Sequence, residues 1–247
     1  MRKFGLIGRK LGHSFSKRYF TEKFEREGIT GAAYELYELA EIPEFPELLH
    51  REPELVGLNV TVPYKEVVIP FLDELDPAAA AIGAVNTIWV EGGKTKGYNT
   101  DFIGFKQTLE EFYPVAQQGQ ALVLGTGGAA KAVLAALDAL GIGYKIVSRS
   151  ASTSAMAYEA VDTKLLSEYQ LIINTTPLGM YPATDACPPL PYESLTPAHY
   201  LYDLVYNPEQ TLFMQKGAQA GAQVTNGLAM LYQQAEAAWS IWNTRQA

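Results

Sequence analysis

The sequence predicts an α/β fold in two parts, each a largely parallel sheet covered by helices. Three observations predict it. Short apolar runs alternate with stretches of helical periodicity along nearly all of the 247 residues, which is the signature of βαβ units. One of those runs leads directly into a glycine-rich turn and then an Ala/Leu-rich helix. The composition, 48% hydrophobic and 19% charged, is that of a chain with a full core, and the length suffices for one large domain or two small ones.

The elements of the first part follow in order. Residues 4–8 form an apolar first strand, and Met1 to Gly8 is too short and too glycine-broken for a signal peptide. Residues 17–27 carry Tyr19, Phe20 and Phe24 at helical spacing, with Ser16 placed as N-cap and Gly28 as stop. Val56, Leu58, Val60 and Val62 alternate with other residues, marking a strand that ends at Pro63. Strands at 87–90 and 96–99 flank Gly92-Gly93 as a hairpin. Residues 101–112 read as a helix with Phe102, Phe105 and Leu109 on one side.

The second part begins after Pro114 and the polar run Gln117-Gln118-Gly119-Gln120. Residues 121–124 are a short buried strand, 129–140 a helix stopped by Gly141, and 144–147 a second strand. Strands at 171–173 and 200–205 follow, with helices at 209–219 and 228–242. Strands alternating with helices require a parallel sheet covered on both faces.

Gly125-Thr126-Gly127-Gly128-Ala129-Ala130 reads G-x-G-x-x-A between a strand and a helix. The first glycine makes the tight turn, the second admits a pyrophosphate to the backbone, and the small third residue lets helix and strand pack. The phosphates then lie against the positive end of the helix. The unit 120–150 is therefore a dinucleotide-binding βαβ. The expected fold class is α/β, an N-terminal α/β substrate domain plus a Rossmann-like doubly wound nucleotide-binding domain. The substrate domain spans 1–102 and is completed by the C-terminal helix 228–247, with the nucleotide domain at 103–227. An NAD site places an acid at the end of the second strand, whereas here Ser148-Arg149-Ser150 stands there with no acid nearby. Arg149 pairs well with a 2′-phosphate and the serines donate to it, which predicts NADP.

Outside that unit lie four polar clusters among apolar neighbours. Ser14 and Ser16 stand two apart after the first strand, and Asn59 and Thr61 share a strand face with Lys65 just beyond. Asn86 and Thr87 follow Val85, and Asn99, Thr100 and Asp101 follow Tyr98. The paired hydroxyls suit a carboxylate. Each cluster also has a plainer reading: serines and Asp101 as helix caps, Asn86 and Asn99 as turn residues, Lys65 as a solvated charge.

Taken together, S-x-S at Ser14 and Ser16, N-V-T-V-P-Y-K at 59–65, A-V-N-T at 84–87, N-T-D at 99–101, G-T-G-G-A at 125–129, N-T-T-P-L-G-M at 174–180, and Asn226 to Leu231 followed by Gln234 resemble the shikimate dehydrogenase family. The matches run in order over nearly the whole chain. The resemblance implies a two-domain enzyme of chorismate and aromatic amino acid biosynthesis that reduces 3-dehydroshikimate to shikimate with NADPH. It implies that Ser14 and Ser16 hold the substrate carboxylate with Tyr206 close by, and that Asn59, Thr61, Asn86 and Gln234 complete the substrate site. Lys65 and Asp101 match the catalytic pair. Gly125, Thr126, Gly127, Gly128, Ala129, Ser148, Arg149, Ser150, Leu204 and Gly227 match cofactor positions. The chemistry is consistent. Hydride delivery to a ketone builds charge on oxygen, and a lysine ammonium can donate the proton that discharges it, with Asp101 orienting it.

The chain departs from the family pattern at Lys17 and Thr126, and at Thr153, where a second basic residue near the 2′-phosphate is usual. Residues 151–166 look trimmed. A quinate/shikimate dehydrogenase using NAD is disfavoured by Ser16 and by the missing acid, a silent nucleotide sensor by the presence of Lys65 and Asp101, and a folate-linked dehydrogenase by the paired serines. The formal net charge of −8 argues against nucleic acid, and no apolar run of about eighteen residues predicts a membrane span. His13, beside the serines, has either a substrate-side or a capping role. No His or Cys spacing suggests a metal. The lone Cys187 forms no intrachain disulfide and fits a reducing cytoplasm. The expected assembly is a monomer or homodimer.

Overall fold

The computed structural model describes residues 1–12, 14–114 and 119–244. His13, Gln117 and Gln118 lie outside the described residues. The chain divides into two compact units. The first is Met1–Thr100 together with the chain from Ala235 onward, and the second is Asp101–Gln234.

Unit 1 contains β1 (Arg2–Gly8), α1 (Phe15–Arg26), β2 (Ala32–Glu38), α2 (Phe45–Arg51), β3 (Leu55–Val60), α3 (Tyr64–Val67), β4 (Glu74–Leu75), α4 (Pro77–Ile82), β5 (Thr87–Glu91) and β6 (Lys94–Tyr98). The sheet order is β2-β1-β3-β5-β6-β4. The strands β2, β1 and β3 are mutually parallel, whereas β5 runs antiparallel to β3 and to β6. Gly92 and Gly93, with φ of 58° and 80°, make the hairpin turn read from the sequence.

Period-2 alternation feeds two layers. Phe4 and Leu6 pack with Phe20, Phe24, Tyr34 and Trp242 on one face, while Ile7, Leu58 and Val60 pack with Phe45, Leu48 and Ile88 on the other. At Gly57 the approach is close, because a Cβ there would stand 2.2 Å from the indole of Trp242. That indole donates to the Ile88 carbonyl at 3.0 Å. Two local expectations are corrected, and one strand was missed. The N-cap of α1 is Ser14, not Ser16, because the Ser14 hydroxyl accepts from the Lys17 backbone at 3.2 Å. The strand expected to reach Val62 ends at Val60, and Val62 is 73% exposed. The strand β2, without clean alternation, went unread.

Unit 2 carries α5 (Thr100–Phe112, its first residue counted with unit 1), β7 (Ala121–Leu124), α6 (Gly128–Ala139), β8 (Tyr144–Ser148), β9 (Met156–Ala157), α7 (Thr163–Glu168), β10 (Leu171–Asn174), β11 (Tyr200–Asp203), α8 (Leu212–Gln219) and β12 (Gln223–Asn226). The last helix, α9 (Leu228–Asn243), begins in unit 2 and ends in unit 1. The sheet is parallel throughout, in the order β12-β11-β10-β7-β8-β9. Both faces are covered, which is why β7 and β10 are buried at every position. Helices α5 and α6 cover one face around Val123 and Ile173, and α7 and α8 cover the other around Leu122 and Leu201. The chain leaves β7 toward β8 and later returns to place β10 on its other side, so the doubly wound order reverses between β7 and β10.

Among the described residues, no helix is long and apolar enough to cross a membrane. No group of three or more His, Cys, Asp or Glu among them is placed to hold a metal.

Candidate active site

In unit 1 the polar clusters gather at one end of the sheet. Ser14 and Ser16 follow the carboxyl end of β1, Thr61 and Lys65 follow that of β3, and Asn99 and Thr100 follow that of β6. Because β5 runs antiparallel, Asn86 and Thr87 at its start reach the same edge, with Thr87 opposite both Asn59 and Tyr98. Ser14 accepts a backbone N–H as the cap of α1 and keeps its own hydrogen to donate. Ser16 lies in the first turn of that helix, where backbone N–H groups have no partner within the helix. Lys65 is half-buried on α3, and its carbonyl accepts from Val85 at 2.7 Å, which fixes that turn against the Asn86 segment. The Thr61 carbonyl accepts from Tyr64 at 2.9 Å, closing the turn that carries Lys65.

Asn59 is the correction here. Expected at the substrate, it is 5% exposed, and both ends of its amide are engaged inside the sheet. Its oxygen accepts from the Tyr34 hydroxyl at 2.7 Å, and its nitrogen donates to Thr87 Oγ1 at 3.2 Å. A buried amide so placed braces strands and has little left to offer a ligand. Asn86, 3% exposed, accepts through Oδ1 from the Thr100 backbone at 2.6 Å and from the Thr100 hydroxyl at 3.1 Å. Sequence reading passed over Tyr34 altogether and named Thr87 and Thr100 only as members of polar clusters, without a role.

In unit 2 the expected cofactor residues also share one edge, the carboxyl ends of the parallel strands. Gly125 follows β7, Arg149 follows β8, Leu204 follows β11 and Gly227 follows β12. Gly125 has a φ of 111°, and a Cβ there would stand 2.6 Å from Thr175 Oγ1. The Thr175 hydroxyl donates to the Leu124 carbonyl at 2.7 Å, tying β7 to β10 where the strand order reverses. At Gly127 and Gly128, by contrast, a Cβ would meet no atom within 4 Å. Packing of the described chain therefore does not require glycine there, although the backbone at the N-terminus of α6 is open to an anion. Thr126 is exposed beside them and Ala129 half-buried. Arg149 and Ser150 are exposed, and the Ser148 hydroxyl donates to the Ser150 carbonyl, which tightens the turn around Arg149.

Gly227 has a structural reason to be glycine, since a Cβ would stand 2.2 Å from the Leu204 carbonyl oxygen. Gln234 is buried on α9, with its amide donating to the Leu231 carbonyl at 3.0 Å. Gly104 on α5 lets that helix approach, because a Cβ would lie 2.9 Å from the Gln234 backbone nitrogen. Asp101 opens α5 as an acid in its first turn, where the helix dipole favours negative charge. Tyr206 is 39% exposed in the loop after β11.

A second buried network, also unread in the sequence, sits under that loop. Asp203 at the end of β11 accepts from Asn174 Nδ2 at 2.9 Å, the Val205 backbone at 3.0 Å and the Thr211 hydroxyl at 2.6 Å. Asn174 in turn accepts from the Thr176 backbone and hydroxyl. Burial pushes the Asp203 carboxyl up to about 6, against the pull of those donors. The three polar side chains Asn174, Asp203 and Thr211 are fully buried. They join the loop after β10 to the loop after β11, as does the Tyr181 backbone donating to the Asn207 carbonyl at 3.0 Å.

Comparison with known proteins follows the same division. Residues 6–88 match the family model described as the shikimate dehydrogenase substrate binding domain. A shikimate dehydrogenase (NADP(+)) of Desulforamulus reducens is 36% identical, over 96% of this chain and 88% of that protein. One from Moorella thermoacetica is 42% identical, over 77% of this chain and 70% of its own. Among solved structures, the shikimate 5-dehydrogenase of Thermus thermophilus in complex with NADP(H) and shikimate superposes with a TM-score of 0.85 at 31% identity. That match covers 98% of this chain and 94% of that one. The ordered motifs, the shared sheet edges and similarity over 70–94% of the length of these relatives agree: the chain belongs to the shikimate dehydrogenase family.

Proposed function

We propose that the chain catalyses the reversible, NADP-dependent reduction of 3-dehydroshikimate to shikimate. The observation that carries the reading is the placement of hydroxyl, amide and ammonium groups along one edge of the unit 1 sheet, in a chain whose unit 2 has an open glycine turn at the N-terminus of α6. The residues present fit the cofactor. The turn at Gly125, Thr126, Gly127, Gly128 and Ala129 presents backbone N–H groups to a pyrophosphate. Arg149, flanked by Ser148 and Ser150, pairs with the 2′-phosphate. Leu204 and Gly227 are the remaining candidates for contact with the cofactor.

Bound NADPH supplies the hydride, and the protein supplies position and field. Ser14 and Ser16 hold the substrate carboxylate at the start of α1, whose dipole favours an anion, and Tyr206 is a further candidate for that group. Thr61, Asn86 and Gln234 bind the ring oxygens. Lys65 donates the proton to the ketone oxygen as negative charge develops there and takes it back in the reverse direction. Asp101 orients the ammonium and accepts from a substrate hydroxyl. Asn59 has no place among these contacts. The lone Cys187 supports action in the cytoplasm, as a monomer or homodimer.

The test is the loss of NADPH absorbance on adding 3-dehydroshikimate, with NADH in parallel. The wild-type chain turns over with NADPH. Lys65→Ala lowers kcat by about 10²–10⁴-fold while NADPH binding, read by its fluorescence, is retained. Near-normal turnover of that variant removes Lys65 from the mechanism. A wild-type chain that binds NADPH and reduces nothing is instead a nucleotide sensor.

A further inference from the structure

A line of buried hydrogen bonds crosses the unit 1 sheet beneath the substrate-side residues, and its direction can be worked out from the donors. At one end the Tyr34 phenol on β2 is 3% exposed. Burial pushes its pKa up, with the Ser16 hydroxyl hydrogen-bonded to it pulling the other way, so it stays protonated and donates to Asn59 Oδ1 at 2.7 Å. The Asn59 oxygen is thereby an acceptor, and its nitrogen donates to Thr87 Oγ1 at 3.2 Å and to the Asn86 carbonyl at 3.4 Å. Thr87, having accepted, passes its single hydrogen onward. Thr100 Oγ1 lies 3.0 Å away and Asn86 Oδ1 3.3 Å away.

At the other end the backbone N–H of Thr100 lies 2.6 Å from Asn86. A backbone N–H only donates, so the Asn86 atom it meets is the oxygen. The Thr100 hydroxyl points a second hydrogen at the same atom at 3.1 Å. Turning the Asn86 amide over would set its NH2 against the Thr100 N–H, donor against donor, in a buried place where that costs most. The Asn86 oxygen is thus held inward and its NH2 is presented outward.

We propose that Tyr34, Asn59, Thr87 and Thr100 are positioning residues that fix Asn86 as a hydrogen-bond donor, so that the substrate meets it with an oxygen lone pair. The proposal rests on the reading that Asn86 contacts substrate. It gives Asn59, displaced from the substrate, a role one step behind it. It also predicts what the site rejects at this point: a ligand group that can only donate, such as an ammonium in place of a ring hydroxyl.

Thr87→Val tests it, since valine fills the same space and removes only the hydroxyl through which the line passes. Shikimate KM should rise about fivefold to tenfold, from the loss of roughly one hydrogen bond's ordering. The NADP+ KM should stay within about twofold of wild type, and Thr87→Ser should restore the shikimate KM. Tyr34→Phe, which also releases the Ser16 hydroxyl, should raise the shikimate KM at least as far, and an amine-substituted ring analogue should inhibit wild type more weakly than shikimate binds. A structural role alone would lower the melting temperature and the active fraction without separating the two KM values. An active wild type with an unchanged shikimate KM in Thr87→Val and Tyr34→Phe overturns the positioning role alone, as do KM values raised alike for both ligands. A wild type inactive toward shikimate overturns the functional reading and the inference with it.

Discussion

Asp203 is a fully buried carboxylate whose three hydrogen-bond donors, Asn174, Val205 and Thr211, are all neutral. Its titratable neighbour, Tyr192, is itself kept protonated by burial. With its pKa raised from 3.8 to about 6, the folded chain holds the Asp203 proton more tightly than the unfolded chain does. Between those values the folded state binds more protons, so this group's contribution to stability is full below pH 3.8, declines as pH rises through about 6, and is level above. About two pKa units at 1.36 kcal/mol each make the decline about 3 kcal/mol. Asparagine at 203 keeps an oxygen for Asn174 and Val205, carries no charge, and disturbs Thr211 by about 1 kcal/mol independently of pH. Relative to wild type, Asp203→Asn should therefore gain about 2 kcal/mol on going from pH 4 to pH 7, where part of the decline has already occurred at the lower pH. Glu27, Glu54 and Asp73, whose pKa values are lowered by their partners, act in the opposite sense and cancel in the difference. The assay is urea denaturation at several pH values, followed by far-ultraviolet circular dichroism. Tryptophan emission would mislead, because Trp89, Trp239 and Trp242 all belong to unit 1 and Asp203 to unit 2. Parallel stability curves for the two proteins would refute the reasoning.

Two further outcomes follow from single contacts. Arg149→Ala should raise the NADPH KM at least about tenfold and leave the NADH KM nearly unchanged, because the pairing it loses exists only with a 2′-phosphate. Steady-state kinetics with both cofactors decides it, and equal losses would show that Arg149 does not read the phosphate. Gly57→Ala should destabilise unit 1 by about 1–3 kcal/mol, since its methyl would stand 2.2 Å from the Trp242 indole. Denaturation followed by tryptophan emission reads that unit directly, and an unchanged midpoint would mean the indole has room to move.

What could be read in the sequence is what short-range chemistry encodes. The β7–α6–β8 unit is marked by glycines at set offsets, and the hairpin by Gly92-Gly93, because backbone conformations with positive φ leave a residue-level mark. The edge strand β2, with sequence AAYELYE, leaves none: it pairs with a single neighbour, β1, and of its seven residues Tyr34 alone is fully buried. The spacing of Asn59 and Thr61 puts both on one strand face, yet β3 ends at Val60 and Thr61 belongs to the turn beyond. The role of Asn59 depends on Tyr34, which lies two strands away across β1. No local pattern records a partner of that kind. Asp203 was hidden for the same reason, its donors coming from positions 174, 205 and 211.

The core that Phe4, Phe20 and Phe24 share with Ala235, Ala238 and Trp242 has a consequence for the order in which the molecule is made. Residues 101–234 form a unit of their own, so everything unit 2 needs has been synthesised before Trp242 leaves the ribosome. At 5–20 residues per second that interval lasts on the order of ten seconds. Through it, residues 1–100 wait with an aromatic face that α9 has yet to cover. Birth order thus reverses sequence order: unit 1 is begun before unit 2 and completed after it, and the nascent chain is most prone to aggregate through Phe4, Phe20 and Phe24 just before α9 emerges.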